Sequence, residues 1–266
     1  MTTVIGASEQ AQKLDPAATG VEGRPDARST AGIFLTPTVL ILALIALYFY
    51  VQSQTLDSIE ARFVNQKILT TTTIEHIQLA ALSTLLVIIL AIPLGVVLTR
   101  PAMRRATPFA LAFVNIGQAV PSIGVIVLLG LTLGYGFRYA IIALVLYSFL
   151  PVLRNTMVGL QRVDRALIDA GRGMGMTRSL VLTKVELPLA VPVMMAGIRT
   201  ALIINVGTAT LATYTDAGGL GDIIDAGLTN SRTVILITGA VLVGVLALTI
   251  DWLASLAERV LRPKGL

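Results

Sequence analysis

The chain has no cysteine among its 266 residues, which excludes disulfides and thiolate metal centres and leaves the redox compartment unmarked. Histidine occurs once, as His76, so an imidazole cluster for metal is excluded as well; a lone polar residue at the end of a span is the expectation for it. None of the four lysines (Lys13, Lys67, Lys184, Lys264) precedes Ser or Thr, so the phosphate-cradling Gly-x4-Gly-Lys-Ser/Thr loop is missing. No catalytic, cofactor-binding or metal-ligating residue is expected. Charged residues make up 13% of the sequence, against roughly 25% in soluble domains. The net charge of +5 comes without basic runs interleaved with stacking aromatics, so a nucleic-acid partner is not expected.

Apolar sequence is abundant: 55% of residues are hydrophobic and the mean hydropathy is +0.83. A bilayer-crossing helix needs about 20 apolar residues. Runs of that order occupy 33–52, 74–99, 108–133, 139–160, 185–213 and 233–256. The expected fold class is an all-α membrane protein with about six transmembrane helices. Residues 1–32 mix small residues with charges of both signs and have no apolar core like that of a secretory signal; a disordered cytoplasmic tail is expected there. A polar loop is expected over 53–73, an amphipathic loop over 161–184, and a glycine-rich turn or re-entry over 214–231, with a short helix from Asp222.

Six spans place both ends of the chain on one side, and the basic residues choose which. With the N-terminus inside, fifteen of the twenty Lys and Arg residues lie at or near the cytoplasmic face. Arg62, Lys67, Arg138 and Arg232 fall outside, and Arg199 falls within a span. The expected topology has the N- and C-termini in the cytoplasm, with 259–266 as the C-terminal segment.

The 161–184 loop is the most informative stretch. Asp164 is a candidate N-cap for a helix from Arg165 to Met174. On that helix Leu167, Ala170, Gly171 and Met174 form one narrow apolar face, while Arg165 and Asp169 stand at pairing distance on the other. Gly175 suits a tight turn, and Thr177 can cap a second helix that runs to Pro188. Small residues would let the first helix sit deep in a partner's groove; a loop that merely lies at the lipid interface fits the same periodicity.

Residues 169–188 read Asp169-Ala170-Gly171-x3-Gly175-x9-Val185-x-Leu187-Pro188. This resembles the cytoplasmic Glu-Ala-Ala loop of type I ATP-binding-cassette importer permeases, with Asp169 for the Glu, Gly171 for the second Ala and Val185 for an Ile. The strings Gln118-Ala119-Val120-Pro121-Ser122, Leu153-Arg154-Asn155-Thr156, Gly197-Ile198-Arg199-Thr200-Ala201 and Ala217-Gly218-Gly219-Leu220-Gly221 look like the osmoprotectant branch, which imports glycine betaine, carnitine, choline or related quaternary amines. The resemblance covers about residues 70–258 and implies a MetI-like type I importer permease core in a prokaryotic cell membrane. It also implies a cytoplasmic ABC ATPase dimer that carries ATP and Mg, a second permease subunit (identical or paralogous) and an external substrate-binding protein. Leu167, Asp169, Ala170, Gly171, Met174, Gly175, Leu187 and Pro188 would then form the ATPase-coupling element. The alternatives are a methionine or other amino-acid permease of the same family and an ion-gradient-driven secondary transporter.

Candidates for a translocation path or gate are Gln118 and Pro121, which interrupt the third run, Asn205 and Thr208, and Tyr214. Asn205 and Thr208 share an i, i+3, i+4, i+7 stripe with Ala209 and Ala212, which suits close helix packing first and a wet passage second. Tyr214 can offer a π face to a cation or serve as an interfacial anchor. Arg199 is a charge within a span with no obvious acidic partner in the spans; an ion-gradient-driven transporter would need intramembrane carboxylates, for which Asp251, near the end of the last run, is the sole candidate.

Overall fold

The structure, a computed structural model, describes residues 27–261, with side-chain surroundings from residue 34 to residue 260. Among the described residues it is entirely helices and turns. The long helices are α1 (Ala27–Gln52), α3 (Gln66–Leu98), α6 (Phe137–Gln161), α9 (Leu187–Ala209) and α11 (Thr233–Leu261). Between them lie α2 (Ser58–Phe63), α4 (Thr107–Ala119), α5 (Ser122–Leu133), α7 (Arg165–Gly173), α8 (Arg178–Val181) and α10 (Leu220–Thr229).

Five helices are long and apolar enough to cross a bilayer, and α4 with α5 makes a sixth crossing broken by a 92° bend. The pair does traverse the bundle. The Thr107 hydroxyl donates to the Leu98 carbonyl at 2.8 Å, at one end of α3. Just past α5, the Gly136 N–H donates to the Thr215 carbonyl at 2.6 Å, at the far end of α9. The six runs expected from hydropathy are therefore all present, the third as two half-spans.

Three expectations need correction. The first helix already begins at Ala27, so only residues 1–26 of the proposed tail remain, and they lie outside the described residues. The polar 53–73 stretch is mostly helical. Asp57 caps α2 through a full capping box with Glu60, and Asn65 accepts the Ile68 N–H at 3.0 Å to start α3. The Thr-rich turn 70–73 concealed this start, because threonine is a weak helix former. Here Thr70, Thr72 and Thr73 return their hydroxyls to carbonyls of the preceding turn. Lastly, the helix capped by Thr177 does not stop at Pro188. It passes through a π turn (Leu182–Glu186) straight into α9, giving a rod from Arg178 to Thr215 of 38 residues, or roughly 57 Å.

The core is built by α3, α6 and α9. Leu79, Ala140, Leu144, Ala209 and Ala212 pack near one end, and Val87, Ala91, Val152, Leu153 and Ala201 pack midway. Glycines set the closest approach. A Cβ on Gly197 of α9 would lie 2.6 Å from the Asn155 Cβ and 2.8 Å from the Pro151 carbonyl of α6, the small-residue contact that brings membrane helices together. By contrast, Phe34, Leu42, Phe49, Ile89, Phe109, Phe113 and Leu128 are exposed, as lipid-facing or partner-facing surfaces require.

Two ends of the bundle can be told apart. One carries α7, α8 and the basic turn 100–105; the other carries α2, α10 and the glycine-rich turn 216–221. They are called the basic end and the glycine end below.

Candidate coupling and translocation site

At the basic end, α7 is a short helix with both ends closed. The Asp164 carboxylate accepts the Ala166 N–H at 2.9 Å. At the other terminus, Gly175 (φ +85°) turns the chain while its N–H donates to the Arg172 carbonyl and the Met176 N–H donates to that of Gly171. This is the left-handed helix stop that favours glycine. Thr177 then accepts the Leu180 N–H at 3.3 Å and opens α8.

Of the apolar face expected on α7, Leu167, Ala170 and Met174 are exposed, Met174 at 73%. Gly171 turns inward instead, with Met176, Val181 and Val185 around the position of its missing Cβ. The expected Arg165–Asp169 pairing is replaced by a loose contact between Asp169 and Arg172 at 3.9 Å, well exposed and therefore of little energetic weight. Leu187 and Pro188 belong to the base of the element rather than its tip: both are half-buried, and Leu187 packs against Leu160, Ala190 and Met194.

Beneath α7 lies a cleft of about 560 Å³ bordered by Arg100, Arg165, Asp169, Arg172 and Glu186. Its floor is an ion pair that sequence inspection missed. Glu186, the last residue of the π turn, is only 6% exposed and takes a forked contact from Arg100, with Nη2–Oε2 at 2.7 Å and Nη1–Oε1 at 3.3 Å. The partners are 86 residues apart, and nothing in the local pattern links them.

The five path candidates do not share one surface. Gln118 is half-buried at the end of α4 and donates to the Tyr147 carbonyl of α6 at 2.7 Å. Pro121 is exposed at the 92° break. Asn205 and Thr208 are buried within the chain, and the Asn205 amide donates to the Thr84 hydroxyl of α3 at 2.8 Å. Their stripe, with Ala209 and Ala212, is thus a packing seam in this subunit. Tyr214 is 44% exposed in the 3-10 turn Thr210–Thr215 at the glycine end.

Two other expectations change. Arg199 does have an acidic partner: its guanidinium makes a forked ion pair with Asp251 of α11, Nη2 lying 2.6 Å from Oδ2 and Nε bonded to Oδ1. A separation of 52 residues hid the match. His76 is fully buried rather than a loose span-end group. Its Nε2 donates to the Val206 carbonyl of α9 at 2.9 Å, and Gly219 lies against its Nδ1. Next to it, the Glu75 carboxylate accepts the Gly219 N–H at 3.0 Å. Gly218 and Gly219 have φ of +78° and +102°; a Cβ at Gly218 would lie 2.6 Å from Glu75 Oε2. Backbone handedness and lack of room both require glycine there. Burial pushes the nearby Asp222 carboxyl above its ordinary range. A hydrogen bond from Thr213 opposes the shift, and the charges of Glu75, Asp216 and Asp225 add to it.

An inward-facing crystal form of the MetNI methionine ABC transporter has a similar fold, with TM-score 0.67 and 26% identity over 74% of this chain and 98% of that one. Among relatives of known role, the choline transport system permease protein OpuBB of Bacillus subtilis (strain 168) is 45% identical over 194 residues, 73% of this chain and 88% of that protein. The glycine betaine/carnitine/choline transport system permease protein OpuCB of the same organism is 44% identical over 192 residues, 72% and 88% of the two chains. Residues 91–263 match the binding-protein-dependent transport system inner membrane components, and the chain belongs to that family. It is a multi-pass membrane permease of a transporter. Membership sets aside the ion-gradient-driven secondary transporter.

Proposed function

We propose that the chain is the permease subunit of an ATP-driven importer for osmoprotectants, with glycine betaine, carnitine, choline or a related quaternary amine as cargo. The observation that carries the cargo is the 45% identity to the choline permease across most of both chains. The methionine reading rests on a lower identity of 26%. The basic end faces the cytoplasm of a prokaryotic cell, in keeping with the positive-inside bias, and both termini lie on that side. There α7 meets a dimer of ABC ATPases, which binds ATP and Mg, while a second permease subunit, identical or paralogous, completes the passage. An external binding protein delivers cargo at the glycine end, and lipid surrounds the spans.

The exposed tip of α7, made by Leu167, Ala170 and Met174, supports the docking role. The closed caps at Asp164 and Gly175 let α7 move as one rigid lever. ATP-driven closure shifts the permease between inward- and outward-facing states only insofar as ATP and the loaded binding protein favour one of them. The passage itself is assigned to the Gln118–Pro121 break and Tyr214. Asn205 and Thr208 support its wall from behind.

The experiment is co-purification of the ATPase with the permease, together with cargo-stimulated ATP hydrolysis. Leu167→Asp with Ala170→Arg, both at exposed positions, is expected to abolish both; unchanged binding and hydrolysis would refute the docking assignment.

A further inference from the structure

We propose that Arg100 is a positioning residue for energy coupling: by gripping Glu186 it fastens α3 to the π turn, so that movement of the 165–186 segment is delivered to α3 as well as to α6 and α9, the spans it joins in sequence. This deepens the coupling role just assigned to that segment and rests on it.

The grip is built to transmit orientation. Both Glu186 oxygens are engaged, each by a different guanidinium nitrogen, and a fork of this kind resists rotation as well as separation. The guanidinium is itself fixed, because Nε donates to the Val96 carbonyl in the last turns of α3 at 3.2 Å. Pro101 follows directly and starts a 3-10 turn (Pro101–Met103), which limits the freedom of the Arg100 backbone. Among the described residues Arg100 is the ion-pair partner of Glu186. Arg172 and Arg178 line the clefts on either side without reaching it.

The location of the grip matters equally. A π turn interrupts the regular ladder of an α-helix and commonly marks a functional site. Here it joins the lever to α9. Without Arg100 the lever would act only on α6 and α9, the spans it joins in sequence, and on α9 through a joint with one surplus residue. Arg100 bridges that joint and engages α3. At the opposite end of α3, Glu75 holds the Gly219 N–H and His76 holds the Val206 carbonyl. Hence α3 is pinned to the lever at the basic end and to the glycine turn at the other, and it lies alongside α6 and α9 as a further transmission rod.

The test uses the complete importer, with both permease subunits, ATPase and binding protein, reconstituted in liposomes and supplied with radiolabelled choline. Uptake per ATP hydrolysed is the readout, because a purely structural pair would not change it in complexes that still assemble. Glu186→Gln and Arg100→Gln are expected to co-purify with the ATPase and hydrolyse ATP, while uptake per ATP falls at least tenfold. Arg100→Lys, which keeps the charge and loses the fork, should fall between. Uptake per ATP within twofold of wild type in both Gln variants would overturn the proposal. So would loss of ATPase co-purification, which would make the pair a scaffold of the loop. Failure of the underlying coupling role shows separately, as normal ATPase binding when Leu167 and Ala170 are replaced.

Discussion

Separating Arg199 from Asp251 should destabilise the permease unequally, depending on which partner is removed. Asp251 lies 18 positions into α11, or about 27 Å from the glycine end at 1.5 Å per residue. Arg199 is 16 positions back from Thr215, about 24 Å. For an apolar layer of about 30 Å that starts near the glycine end, the pair sits toward the basic-end headgroups and not at the bilayer centre. An unpaired charge costs about 2.5–3.5 kcal/mol at the centre of a span. At this depth, with both side chains partly accessible, about 1–2 kcal/mol is the appropriate figure. Asp251→Asn leaves an arginine whose long stem can snorkel to the phosphates. Arg199→Gln leaves a short carboxylate that cannot. The arginine replacement is therefore the more damaging, and the double replacement, which strands no charge, should recover much of the loss. At about 2–4 °C per kcal/mol, Arg199→Gln should lower the midpoint by about 2–8 °C and Asp251→Asn by less. Thermal unfolding in nanodiscs followed by the fluorescence of Trp252, the only tryptophan, measures this beside the altered residue. A double variant less stable than either single, or an Asp251→Asn loss as large as that of Arg199→Gln, would refute the reasoning.

Glycine replacements on α9 should split by position. Gly197→Ala, whose methyl would enter the α6 contact, should destabilise by about 1–3 kcal/mol. Gly207→Ala, which meets nothing within 4 Å, should be neutral or gain about 0.5–1 kcal/mol of helix propensity; unfolding midpoints decide both. For Asp222, a carboxyl raised above its ordinary range in the folded chain adds stability below the unfolded value and loses it as pH rises through the folded one. Asp222→Asn should thus be more stable than wild type at pH 7–8, with the advantage fading on acidification, as a pH series of melting curves will show. Because the chain has no cysteine, single replacements report topology directly. In intact cells a membrane-impermeant maleimide should label Asn230→Cys and spare Ser179→Cys; the opposite pattern would invert the orientation.

Features that depend on near neighbours were legible from the sequence. Asp164, Gly175 and Thr177 each act within four positions of themselves, so their capping and turning roles follow from the local order of residues. The Pro121 break was signalled by a residue that cannot donate a hydrogen bond, though its 92° magnitude was not. What escaped was either distant in sequence or disguised by polarity. Arg199–Asp251 and Arg100–Glu186 join helices far apart in the chain, and Glu186 occupies a position the loop motif leaves unspecified. The start of α3 was masked by threonines whose hydroxyls the helix absorbs. Asn205 and Thr208 suited a dry seam better than a wet wall but were open to both, since period alone says which residues share a side and not what that side faces. Gly171 differed for the same reason: it shares a stripe with Leu167 and Met174, yet the turn at Gly175 folds Met176 back over it.

Only Leu40 is buried on α1 between residues 34 and 52. The attachment of that helix to the rest of the subunit runs along α11, and most of its apolar surface faces outward, toward lipid or a partner subunit. Such a span is an outrigger. With Leu40 alone sunk into the core between residues 34 and 52, changes on its outward face would leave the interior that the other helices share undisturbed.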